Sequence, residues 1–181
     1  MIKHLVLLVV TSYCIALQAQ KASEEPYLIK TLANETIKHV DVETSAGGIT
    51  VAAVNPSEAH IEVYIRANDR DEGAPTKEEI KRMLEQDYNL NISVVNNKLV
   101  ASAKSKERIN DWRKALVISF KVFVPKNVST ELNTSGGGIS LKGLTGTHIF
   151  STSGGGLHIE NVNGIVKGRT SGGGINLINS G

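Results

Sequence analysis

A single cysteine stands among 181 residues. It rules out an internal disulfide framework and a cysteine-rich zinc site. Aromatic residues make up only 4% of the chain, so a base-stacking platform for nucleic acid is not expected. Neither sign of charge dominates: 20 Lys+Arg against 18 Asp+Glu give a formal net charge of +2. No Lys/Arg run supplies the clustered basic face of a nucleic-acid binder. No apolar run reaches the length of a membrane span. What remains is a hydrophobic share of 40% in a chain of single-domain length. That is enough for an ordinary core.

The first residues read as an address. Met1-Ile2-Lys3-His4 is a short basic start, Leu5 to Val10 is apolar, and Leu17-Gln18-Ala19 ends on a small residue. This is the pattern of a secretory signal peptide, 1–19, cut after Ala19. Lipid attachment at Cys14 is not expected, because large Tyr13 precedes it. The mature chain then holds no cysteine, which suits an oxidising compartment. The localisation expected is export, to the periplasm or to the cell surface.

Glycine divides the mature chain in two. Fourteen of the 17 glycines lie between Gly136 and Gly181. There, Thr134-Ser135-Gly136-Gly137-Gly138-Ile139 recurs at Thr152 and again at Thr170, 18 residues apart each time. Leu141, Ile159 and Leu177 keep the same register, as do Leu144 with Val162 and Gly146 with Gly164. A fixed period with several aligned positions predicts stacked units. After each triplet, Ile139-Ser140-Leu141, Leu157-His158-Ile159 and Ile175-Asn176-Leu177 alternate as strands do. Further strands are expected over 148–153 and 166–171. The glycines mark turns that need positive φ or close backbone approach. Phe150 is expected to stack over Gly168. A calcium β-roll would place Asp after the glycines, a phosphate loop would place Lys, and a linker would lack the periodic aliphatics.

The fold class predicted is all-β, a right-handed parallel β-solenoid with 18-residue Gly-rich coils and one short α-helix on its N-terminal part. The units are 134–151, 152–169 and an incomplete 170–181, within a repeat part 131–181. The part before it, 20–130, is β-rich. Its strand candidates include Tyr27 to Leu32, Ile37 to Thr44, Ala59 to Ala67 and Ala115 to Val124, the last ended by Pro125. Thr44-Ser45-Ala46-Gly47-Gly48-Ile49 is a degenerate copy of the repeat. Asn96-Asn97 joins Asn91–Val95 to Leu99–Ala103 as a hairpin turn. Thr76 and Glu79 form a capping-box pair before Ile80, Met83 and Leu84, predicting a helix over 77–87 packed on the β body.

With Val124-Pro125-Lys126-Asn127 leading into the Thr-Ser-Gly-Gly-Gly-Ile repeats, residues 27 to 181 resemble exported bacterial β-strand-repeat proteins of the DUF4097 type, a putative adhesin family. The resemblance implies the solenoid and an adhesin role. It supplies no site residues. A full third unit would end at 187, so the chain is expected to be a fragment, or its open C-terminal edge to be closed by self-association or a partner.

Little catalytic chemistry is visible. From Asn133 onward the only carboxylate is Glu160 and the only Arg is Arg169. Polysaccharide-cleaving sites need clustered carboxylates or a carboxylate with Arg or Lys. Asp69, Asp71 and Glu72 read as a charged turn. His39, His60, His148 and His158 have no metal-ligand spacing; His158 is expected to face solvent and His148 to line the core. No Ser sits in G-x-S-x-G. The expectation is therefore a non-enzyme without cofactor or metal, an adhesin or surface-polymer binder. Polysaccharide or another cell-surface polymer is the partner expected. A periplasmic structural or regulatory envelope protein is the alternative, and a glycan-degrading enzyme the least supported reading. Candidate binding residues are Trp112, which could stack on a sugar ring or plug a core end, and the column Thr134, Thr152 and Thr170.

Overall fold

The computed structural model describes residues 25–68, 75–108, 111 and 115–181. The signal-peptide segment, the Asp69/Asp71/Glu72 cluster and Trp112 lie outside the described residues. In chain order the strands are β1 (Leu28–Thr31), β2 (His39–Thr44), β3 (Ile49–Ala53) and β4 (His60–Ala67). Helix α1 (Lys77–Asp87) precedes β5 (Tyr88–Val95), β6 (Lys98–Ser105) and β7 (Leu116–Val124). The rest are β8 (Ser129–Thr134), β9 (Ile139–Lys142), β10 (Thr145–Thr152), β11 (Leu157–Glu160), β12 (Asn163–Thr170) and β13 (Ile175–Ile178).

These strands form two sheets. One has seven strands in the order β1-β4-β7-β3-β9-β11-β13, the other six in the order β12-β10-β8-β2-β6-β5. Both are mixed, and this overturns the right-handed parallel β-solenoid expected from the repeats. The parallel pairs are confined to the middle and C-terminal side: β3 with β7 and β9, β9 with β11, β11 with β13, and the chain β6-β2-β8-β10-β12. At the other side β1 with β4, β4 with β7, and β5 with β6 run antiparallel. The cause at β5–β6 is local. Asn96 and Asn97 both adopt left-handed backbone, with φ of 51° and 62°, and that turn returns the chain directly beside itself.

Within the parallel region the 18-residue period is physical. Leu157 pairs with Ile139 and Ile175, and Thr152 with Thr134 and Thr170. Alternation sends Leu132, Phe150, Ile139, Leu141, Leu157 and Ile159 into one shared core with Val40, Val42, Phe120 and Val122. The boundary expected at 130/131 falls inside β8, and both sheets run across it. Helix α1 closes the antiparallel side. Its capping box is formed, with Thr76 Oγ1 accepting from the Glu79 amide and the Glu79 carboxylate accepting from the Thr76 amide. Ile80 and Leu84 are buried against β4, β5 and β7, so its apolar stripe is used within the fold.

The glycine triplets work by close approach. None of their members has positive φ. A Cβ on the middle glycine would strike the carbonyl oxygen of the preceding unit: Gly137 at 2.1 Å from Gly47 O, Gly155 at 2.1 Å from Gly137 O, Gly173 at 2.2 Å from Gly155 O. Left-handed backbone falls elsewhere, at Gly143, Asn161 and Asn179. These three are again 18 residues apart, and the residue types are those that tolerate αL.

Candidate binding groove

The threonine column proposed from sequence is part of this scaffold. Thr134 Oγ1 donates to Gly47 O, Thr152 Oγ1 to Gly137 O and Thr170 Oγ1 to Gly155 O, each at 2.7 Å. Each oxygen also accepts the amide of its own middle glycine, at 3.4, 3.2 and 3.1 Å. Thr134 and Thr152 are buried. The hydroxyls are thus committed to holding one Gly turn on the next, and are not offered to a ligand. Thr152→Val should cost about 1–3 kcal/mol, because a half-buried carbonyl and amide lose their partner. Ser153→Ala at the exposed neighbouring position should cost under about 0.5 kcal/mol. Urea unfolding of the two variants checks this.

The outward positions of the six-stranded sheet build a different feature. Residues alternate between faces, so β2 presents His39 and Asp41, β8 presents Ser129 and Glu131, and β10 presents Thr147 and Ile149. The parallel register sets His39 beside Ser129 and Lys98, and Asp41 beside Glu131. Ile149 continues the second row beyond Glu131. Together with Val40 and Thr130 these residues line a groove of about 440 Å³. Adjacent strands are about 4.8 Å apart, so its polar groups are spaced at roughly that interval across the sheet.

Charge in the groove is partly matched. Lys98 Nζ lies 2.6 Å from Asp41 Oδ2. The hydrogen bond and attraction of Asp41, with a further contribution from Glu131, hold the ammonium above its ordinary range. Ser129 Oγ accepts the Thr147 amide at 3.2 Å. The His39 ring and the Glu131 carboxylate make no hydrogen bond or ion pair with the described residues. Ile149 remains 48% exposed and gives the floor an apolar step. The groove therefore offers an ammonium, a free carboxylate, an imidazole and an aliphatic surface in two short rows.

The outer face of the seven-stranded sheet is more self-satisfied. The His60 ring stacks on Phe123 at 4.4 Å between centroids. Lys121 Nζ sits 4.1 Å above the Tyr64 ring, and Tyr64 Oη donates to Glu62 at 2.6 Å. A smaller cleft of about 170 Å³ is lined by Tyr64, Arg66, Val117, Ser119 and Lys121. Its aromatic ring already has a cation on it. His158 is part-exposed, as the repeat register implied, with Nε2 3.8 Å from Glu160. His148 is fully buried. Among the described residues no group of three His, Cys, Asp or Glu is placed to hold a metal ion. No described helix is long and apolar enough to cross a membrane.

Sequence reasoning does not find the groove. Its lining comes from four strands scattered between His39 and Ile149, and only the fold joins them: His39, Lys98, Ser129 and Thr147 share no motif. The one usable signal is their outward phase in alternating strands.

No family model and no curated protein matches the chain. Among solved structures, a putative cell adhesion protein from Clostridium sporogenes ATCC 15579 is similar, with 8% identity and a TM-score of 0.48 over 85% of this chain and 98% of that one. A putative adhesin from Bacteroides fragilis NCTC 9343 is similar with 8% identity and a TM-score of 0.33 over 87% of this chain and 98% of that one.

Proposed function

We propose that this is an exported, non-catalytic binding module of the DUF4097 type, and that the groove on the six-stranded sheet holds a hydroxylated polymer, a polysaccharide of the cell surface or its surroundings. The observation that carries the reading is the groove's composition. Glu131 and Asp41 accept hydroxyls, Lys98, His39 and Thr147 supply polar partners, and Ile149 offers a surface to the C–H face of a ring. A neutral hydroxylated chain needs both kinds of contact. It also tolerates an open, sheet-borne groove, because successive units share the binding energy. The carboxylates suit holding better than turnover: Asp41 is engaged by Lys98 at 2.6 Å, and the site lies open on a sheet face, where water competes.

The test is affinity electrophoresis through gels containing dextran, mannan or a β-glucan. At least one polymer should retard the protein. Glu131→Gln and Lys98→Ala should each weaken that retardation roughly tenfold, the scale of a lost charged hydrogen bond. Lys142→Ala on the opposite sheet should leave it unchanged. Equal retardation of all four proteins, or of none, contradicts the assignment of the groove.

A further inference from the structure

Beneath the same groove, on the inward side of β10, lies the ring of His148. Thr130 of β8 stands on one flank and Val166 of β12 on the other. The ring is fully buried. Its Nδ1 is hydrogen-bonded with Thr130 Oγ1 at 3.1 Å, and its Nε2 has no hydrogen-bond partner among the described residues. Thr147 and Ile149, which flank it in sequence, line the groove above, as does Thr130. One imidazole therefore ties β8 to β10, two of the four strands that carry the groove, directly beneath it and beside their backbone ladder.

Among the described residues, no buried group can balance a positive charge on that ring. The inward neighbours are Thr130 and Leu132 on β8, Phe150 on β10, and aliphatic residues on β9, β11 and β12. The ionisable groups of these strands are on the outer faces: Glu131, Lys142, His158 and Glu160, with Lys167 and Arg169 on β12. Burial holds the ring below its usual range. A histidine that is neutral when buried takes up its proton on unfolding, near pH ~6.5. The stability tied to the neutral ring is therefore complete above about pH 6.5 and is lost as pH falls below it toward the folded ring's own titration.

We propose that His148 is an acid-sensitive fastener: protonation places an unpaired charge in the apolar core, parts β10 from β8, and dismantles the groove. The regulatory meaning rests on the groove being the binding site; the acid response of the fold does not.

The experiment is thermal unfolding between about pH 7.5 and about pH 5 for the full chain, His148→Val and His39→Gln. Valine occupies the equivalent positions at Val40 and Val166, so it suits the site. The wild-type midpoint should fall by at least about 3 °C more than that of His148→Val. His39→Gln, which removes the titratable ring inside the groove, should follow wild type. Parallel curves for wild type and His148→Val would overturn the proposal. If His148→Val does not fold, NMR titration of the wild-type ring decides instead. The ring should stay neutral while the folded signals persist; a ring that titrates near pH ~6.5 with the fold intact overturns the proposal. Polymer retardation at about pH 7.5 is recorded alongside, so its absence counts against the groove and leaves the acid response decided on its own.

Discussion

Gly155→Ala should unfold the protein or lower its stability by about 3 kcal/mol or more. Its new Cβ would lie 2.1 Å from Gly137 O and 2.2 Å from the carbonyl carbon. Both atoms are backbone, so no side chain can turn away to relieve the contact. Relief requires separating β10 and β11 from β8 and β9, which breaks the hydrogen bonds of two sheets together. The neighbouring substitution is the control. A Cβ on Gly154 would find its nearest atoms, Gly136 O and Ser135 O, at 3.5 Å. That is ordinary contact, and the equivalent position in the degenerate copy is already Ala46. Gly154→Ala should therefore cost less than about 1 kcal/mol. Two adjacent glycines of one triplet thus differ sharply, and chemical denaturation of the pair shows it directly.

Phe150→Ala should be nearly as damaging, at about 3–5 kcal/mol. The side chain is 3% exposed and packs among aliphatic residues of the repeat units. Its ring reaches across the ladder to Gly168, where a Cβ would lie 2.2 Å from Cε2. The large residue of one unit therefore fills the space left by the small residue of the next. Gly168→Ala should lose about 1–3 kcal/mol by forcing the ring out of its place. In the background of Phe150→Leu that penalty should shrink, because the offending atom is gone. A double-mutant cycle on thermal or urea unfolding measures the coupling.

Much of this scaffold is legible in the chain. The repeat register, the pairing of Phe150 with Gly168, the burial of His148, the capping box of α1 and the turn at Asn96-Asn97 all follow from local spacing. The parallel solenoid does not hold, because the rule of the glycine-rich units reaches back through the degenerate copy at β2 and β3 but not to β1, β4 and β5, which pair antiparallel. The hairpin turn is itself the warning, since it commits β5 and β6 to antiparallel pairing. The antiparallel contact of β4 with β7 joins residues as distant in sequence as His60 and Phe123, and no short pattern announces it.

Thr134 and Thr152 of the threonine column lie inside for a reason visible in the strands. Thr134 follows Leu132 by two residues, Thr152 follows Phe150, and Thr44 follows Val42. Period two puts each threonine on the side of its apolar neighbour, so these hydroxyls point inward and cannot form a binding face. Those of Thr134 and Thr152 are satisfied there by glycine carbonyls, which is what a buried polar group requires. The groove shows the opposite case. Asp41 and Lys98 form its ion pair across 57 positions of sequence, and only the strand order β10-β8-β2-β6 brings its lining together.

The most direct test of the groove as the binding site is amide chemical-shift mapping of the isotope-labelled protein with the polymer that retards it. Saturable shifts should concentrate at His39, Asp41, Lys98, Ser129, Glu131 and Thr147, with Ser140 and Lys142 on the opposite sheet unmoved. Shifts centred on the seven-stranded face, or an unchanged spectrum with a polymer that demonstrably retards the protein, would contradict it.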